Sequence, residues 1–110
     1  MESRDLQLVR RVLAGETDAF EDIVAAHSRT VYGLAFRVTG NAQSAEDAVQ
    51  ETFLRAFRFL STFDQRAELG TWLHRIAVNA AIDQGRRTRR ERAARVDLPD
   101  EGDLSLSEVP

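Results

Sequence analysis

The chain of 110 residues contains no cysteine, which excludes a disulfide framework and a thiolate metal centre. It has no lysine either: all 15 basic residues are arginine, a uniformity that carries little weight by itself. No apolar run approaches the length needed to cross a bilayer, and the N-terminal MESRDLQLVRR lacks the apolar core of a signal peptide. A cytoplasmic protein without membrane insertion is therefore expected. Also missing are a glycine-rich phosphate loop, a nucleophile motif and a distinctive carboxylate pair, so no enzyme is expected. His27 lies on an apolar stripe as a core-edge histidine, and His74 has no companion in an H-E-x-x-H arrangement. Glu46, Asp47 and Glu51 form an acidic group of the kind that is ordinarily just solvated. Neither a metal nor a cofactor is expected.

What is present is a globular composition with an uneven charge pattern. Hydrophobic residues make up 43% and charged residues 30%, enough apolar surface for one modest core and too little chain for a second domain. The net charge of -3 hides three blocks. Residues 1–83 carry nine arginines against twelve acids, residues 84–95 six arginines against one glutamate, and residues 96–110 five acids and no base. Like-charge blocks near chain ends are commonly interaction segments or linkers.

Helical periodicity runs through nearly the whole chain. Ser3 is placed to cap a first helix with Leu6, Val9, Val12 and Leu13 on one stripe, stopped by Gly15. Thr17 or Asp18 caps a second, whose stripe of Phe20, Ile23, Val24, His27, Val31, Leu34, Ala35 and Val38 runs to Gly40 and Asn41. A third begins at SAEDAVQETFLRAFRFL, with Ser44 and Asp47 in capping-box spacing and Ala45, Ala48, Val49, Phe53, Ala56, Phe57 and Leu60 as its apolar side. STFDQRAEL breaks the period and reads as a loop. The fourth starts near Gly70 or Thr71 and buries Trp72, Leu73, Ile76, Ala77 and Ala80. The fold class is all-α, a compact bundle of about four helices over residues 1–95, followed by an acidic flexible linker or tail over 96–110.

Two polar faces stand out. On the third helix Asp47, Glu51, Leu54, Arg55 and Arg58 recur on the side opposite the core, with Gln50 beside them. Glu51 and Arg55 are spaced for an i, i+4 pair contributing roughly 0.3 to 0.5 kcal/mol. Periodicity alone reads this as a solvated face, since exposed charge is the default on an amphipathic helix; only Leu54 among the charges leans toward a partner. On the fourth helix Arg75, Asn79, Asp83, Arg86 and Arg90 line up at steps of four, four, three and four, with Arg87 alongside. An asparagine amide suits bidentate contact with a base edge, and arginines neutralise phosphates. The preceding loop adds Phe63, Asp64, Gln65 and Arg66, and His74 lies one residue off the stripe. The burial usual for large aromatics puts Phe63 and Trp72 in the core, whereas a ring at the mouth of a basic site is what a single-strand binder presents. The helix macrodipole favours one or two C-terminal arginines, at about 0.3 to 1 kcal/mol, but not the density of RRTRRERAAR.

AEDAVQETFLRAFRFLSTF followed closely by GTWLHRIAVNAAIDQGRR resembles the second conserved region of bacterial RNA polymerase sigma factors of the extracytoplasmic-function (ECF) group. The resemblance covers nearly all of residues 5–95, and the opening LVRRVLAGETDAFEDIVAAHSRTVYGLAFRVTGN is similar to the N-terminal helices of that domain. It implies that the D-x-x-Q-E face, here Asp47, Gln50 and Glu51 with Leu54 and Arg55, docks on the coiled-coil clamp helices of the polymerase's largest subunit. It further implies that the loop from about Phe63 to Leu69, with the start of the next helix, holds the single-stranded non-template strand of the promoter minus-ten element, one base turned out of the stack. Asn79 matches a base-contacting position and Phe63 helps form the pocket, with His74 and Arg75 at its edge; Asp64, Arg66, Asp83, Arg86, Arg87 and Arg90 complete the expected DNA surface. Regulation by an anti-sigma factor is a further expectation. Full members carry a helix-turn-helix domain after an acidic linker, and this sequence ends inside what resembles that linker. The alternative from another class is a purely protein-binding module held by an anti-sigma factor or other regulator.

Overall fold

Ser3 starts the first helix as the sequence predicts: its hydroxyl accepts the Leu6 N–H at 3.1 Å, satisfying a donor left open by the first turn. In the computed structural model, which describes residues 2–96, α1 spans Arg4–Leu13, α2 Ala19–Thr39, α3 Ala42–Arg58 and α4 Leu69–Val96, with a single 3-10 turn at Leu60–Thr62 between α3 and α4. Among the described residues there is no strand. The expected division at residue 95 moves slightly, because α4 runs through Val96; the remainder of the expected acidic tail lies outside the described residues.

The glycines at 15 and 40 both take positive φ, at 109° and 67°. Gly40 ends α2 in the left-handed conformation, and its N–H reaches the Phe36 carbonyl at 2.7 Å. The cap of α3 differs from the expected one. Asn41, in extended backbone, accepts the Ser44 N–H at 2.8 Å, so the helix starts one turn before the anticipated Ser44–Asp47 box. Ser44 is instead a buried helical residue whose Oγ lies 3.1 Å from Thr88 Oγ1 on α4. Asn41→Ala is expected to cost about 1 kcal/mol of stability, read as a lower urea midpoint at unchanged slope; an unaltered midpoint would mean that Asn41 does not hold the α2–α3 corner.

Two apolar clusters hold the helices together. In the larger, Leu8, Val9 and Val12 of α1 meet Ile23 and Val31 of α2, Phe53 and Ala56 of α3, Leu60 and Phe63 of the connection, and Leu69, Leu73 and Ala77 of α4. In the smaller, Ala35, Ala45, Ala48 and Ala81 bring α2, α3 and α4 into close approach. The contacts Ser44–Thr88, Asp47–Gln84 and Arg55–Asp83 run in opposite chain directions, so α3 and α4 are antiparallel. Leu8 takes the inward place on α1, while Leu13, expected on the stripe, is exposed at the helix end. Val38 and Phe57 are also more open than their stripes predict; Phe57 sits at the rim, packing edge-on against Phe20. His27 is the core-edge residue it was expected to be: half-buried, it bonds the Asp5 carboxylate at 3.0 Å and ties α1 to α2.

This topology answers why an apolar helix ends in arginines. α3 begins at Ala42, and the Ser44–Thr88 contact joins its first turn to α4, which continues for two more turns to Val96. Leu73, Ala77, Ala80 and Ala81 are buried, whereas Arg86 and Arg87 are exposed at the end of the α3–α4 seam and Arg89, Arg90 and Arg92 are exposed beyond the Ser44–Thr88 contact. A helix segment with nothing to pack against is free to carry charge all round.

Candidate nucleic-acid and protein interfaces

The α3 face is not opposite the core, as periodicity had it, but turned toward α4. Asp47, Glu51 and Arg55 are half-buried along the α3–α4 seam, and only Gln50, Leu54 and Arg58 of the expected face are exposed. With Ala80, Asp83, Gln84 and Arg87 of α4, residues Asp47, Gln50, Glu51, Leu54 and Arg55 line an open groove of about 310 Å³. Every residue expected to dock on the polymerase thus lies on one concave surface.

The groove is polar and largely cross-linked. Asp47 accepts from Gln43 Nε2 at 3.2 Å and from Gln84 Nε2 at 3.4 Å. Arg55 donates from Nε to Glu51 at 2.8 Å, forming the predicted i, i+4 pair, and from Nη2 to Asp83 at 2.9 Å. The hydrogen bond to Glu51, reinforced by that to Asp83, holds the Arg55 guanidinium still more firmly in its charged form. Asp47 and Glu51 are thus engaged by amides and a guanidinium; among the described residues no three His, Asp or Glu side chains gather as a metal site. Leu54, 59% exposed, is the apolar projection on this otherwise polar rim.

Sequence reasoning missed Gln84. It is 9% exposed and carries the α4 core stripe onward in polar form, since Ala80, Gln84 and Thr88 follow at steps of four. Extending the apolar period past its last hydrophobic member would have found it, because a core stripe at a bundle end is often completed by side chains that bond across to the next helix.

On the outer side of α4, His74, Arg75, Asn79, Arg86 and Arg90 are all exposed, consistent in placement with a surface open to a ligand. Asp83 and Arg87 are exposed as well and also line the α3–α4 groove, where Asp83 is bonded to Arg55. The two polar faces of α3 and α4 therefore meet at Asp83. Phe63 takes the core place that the burial usual for large aromatics predicts. It is 6% exposed and packs against Trp72 with ring centroids 5.1 Å apart, so it supports the loop from beneath and presents no stacking surface.

The loop after Phe63 is exposed and internally braced. Arg66 donates its backbone N–H and Nε to Asp64 Oδ1, at 3.0 and 3.1 Å, and Nη2 to Oδ2 at 3.1 Å. The Arg66 side chain holds the Asp64 carboxyl below its usual range, assisted by the Arg66 backbone N–H, and the same pair raises Arg66. Arg10 of α1 reaches Gln65 at 3.3 Å, so the first helix also contacts this loop.

Comparison with known proteins places this geometry in a family. The Sigma-70 region 2 family matches residues 23–91. The ECF RNA polymerase sigma factor SigW of Bacillus subtilis is 40% identical over 87 residues, 79% of this chain and 46% of that protein. The RNA polymerase sigma-H factor of Pseudomonas aeruginosa is 39% identical over 90 residues, 78% of this chain and 47% of that protein. The chain thus spans about half the length of the curated relatives it matches. Among solved structures, the NMR structure of an engineered region 2 of sigmaE in complex with GTAAAA is similar, with a TM-score of 0.71 and 34% identity, covering 89% of this chain and all of that one. No helix among the described residues is long and apolar enough to cross a membrane. With four helices in the sigma region 2 arrangement and a family match across α2, α3 and most of α4, the chain belongs to the Sigma-70 region 2 family and is a region 2 domain of the ECF sigma factor group.

Proposed function

We propose that this domain binds core RNA polymerase through the α3 side of the groove and captures the non-template strand of the promoter minus-ten element along the outer side of α4 and the 63–69 loop. The observation that carries this reading is the exposed row of Arg75, Asn79, Arg86 and Arg90, with exposed His74 beside it, on the helix of a domain whose structural relative is a complex with GTAAAA. The action is capture, without catalysis. Extruding a base costs a few kcal/mol, which base-edge hydrogen bonds, stacking and phosphate neutralisation offset, so a transient opening of the duplex is trapped. With Phe63 buried, stacking falls to groups other than that ring, and the amide of Asn79 is the group suited to reading an edge. The domain works with the polymerase in the cytoplasm. An anti-sigma factor that silences it would cover the groove and Leu54, the same surface the polymerase needs.

Labelled single-stranded and duplex oligonucleotides titrated over a salt series, with and without core polymerase, test the reading. Neutralising about four phosphates gives a log-log salt slope near -3 for single strands. Asn79→Ala is expected to weaken a GTAAAA-containing strand by about 1 to 3 kcal/mol while affecting a scrambled strand little, whereas Arg86→Ala weakens both alike. Equal losses on both strands in both variants would remove the base-reading role of Asn79.

A further inference from the structure

Asp83 stands in the row of Arg75, Asn79 and Arg86, where a carboxylate repels the phosphates that its arginine neighbours attract. Its Oδ2 is occupied across the seam, accepting from Arg55 Nη2 at 2.9 Å, while Nε of the same guanidinium donates to Glu51 Oε2 at 2.8 Å. Resting on the two-face reading above, we propose that Asp83 is a positioning residue for the polymerase-docking face: it fixes Arg55, and Arg55 in turn orients the Glu51 carboxylate in the groove.

The geometry gives the reason. Two carboxylates on different nitrogens of one planar fork determine both the position and the plane of the guanidinium, as a single contact does not. The Arg55 side chain is 27% exposed and lies between α3 and α4, so the clasp joins the helices. An exposed i, i+4 pair alone is too weak to order two long side chains. Without Asp83, Arg55 and Glu51 sample several rotamers, and the entropy of fixing them is charged to the docking step. The carboxylate that looks misplaced on a DNA-binding helix thus serves the neighbouring protein-binding face.

The test measures affinity for core RNA polymerase and for single-stranded GTAAAA on the same variants of the full chain, with thermal midpoints to verify folding. Asp83→Ala is expected to lower polymerase affinity about fivefold and leave GTAAAA affinity unchanged or slightly higher. Asp83→Glu, which keeps the charge on a longer arm, restores most of the polymerase affinity. In an Arg55→Ala background, Asp83→Ala has no further effect. A loss of GTAAAA affinity with polymerase affinity intact would make Asp83 a DNA contact and overturn the proposal, as would additive losses from Asp83→Ala and Arg55→Ala. Glu51→Arg separates the two levels: if it also leaves polymerase affinity unchanged, the docking face itself is wrong, whereas its loss with Asp83→Ala silent refutes the positioning role alone.

Discussion

Replacing Glu51 with arginine is expected to lower affinity for core RNA polymerase by about 100-fold while leaving the domain folded. The magnitude follows from charge reversal within the proposed docking face, where like charges brought together cost several kcal/mol and about 2.8 kcal/mol corresponds to 100-fold. Glu51 accepts from Arg55 at 2.8 Å and shares the groove with Asp47, Gln50 and Leu54, so an arginine there displaces a carboxylate and sets two guanidiniums side by side. The fold should tolerate this. The pair is at i, i+4 with both side chains partly solvated, and such pairs contribute roughly 0.3 to 0.5 kcal/mol. Titration of core polymerase into labelled domain, with a parallel thermal melt, reads both quantities; full affinity in the folded variant would remove this face from the docking surface. Leu54→Ala is the companion, because a leucine 59% exposed contributes little to the core.

These residues also show what the sequence makes legible. The stripe of Leu73, Ala77 and Ala80 and the stops at Gly15 and Gly40 are local properties: a period of 3.6 and a backbone conformation that glycine adopts without strain. The cap of α3 was less decidable, since Asn41 and Ser44 are both capping residues. Asn41 takes the role directly after Gly40 ends α2 in the left-handed conformation, its side chain accepting the Ser44 N–H. Leu8 and Leu13 compete for the same reason: two overlapping stripes fit α1, and which faces inward is set by the connection and the start of α4, far away in sequence. Pairings across helices are beyond periodicity altogether. Nothing within α4 reveals that Asp83 meets a guanidinium 28 residues earlier or that Gln84 meets Asp47. The family resemblance carried the roles expected of the site residues; the structure adds that Asp83 and Arg87 also line the seam with α3 and that Phe63 is buried, as its size predicts.

Leu73→Ala is expected to destabilise the domain by about 2 to 5 kcal/mol, with the loss visible as a lower urea midpoint at unchanged slope. Leu73 is 1% exposed and lies in the cluster where α1, α2, α3 and the connection all meet α4. Truncation removes apolar contacts and leaves a cavity that four converging elements cannot close without moving one another. Set against the 5 to 15 kcal/mol typical of a whole domain, that is a large share. The functional consequence follows from where Leu73 stands: His74 and Arg75 are the next two residues on the same helix and project outward, so α4 offers its inner side to the core and its outer side to the proposed DNA strand. Loosening the inner side reduces the fraction of molecules with the outer row in place, and apparent affinity for the proposed single strand falls by that fraction. Loss from Leu73→Ala should therefore shrink on cooling toward the temperature of maximum stability or in a stabilising osmolyte, as the native population recovers. The Asn79→Ala loss should persist under both conditions, since it removes a contact and not a population. If the Leu73→Ala defect proves equally insensitive, packing beneath α4 shapes the binding row directly, and core and interface are not separable in this helix.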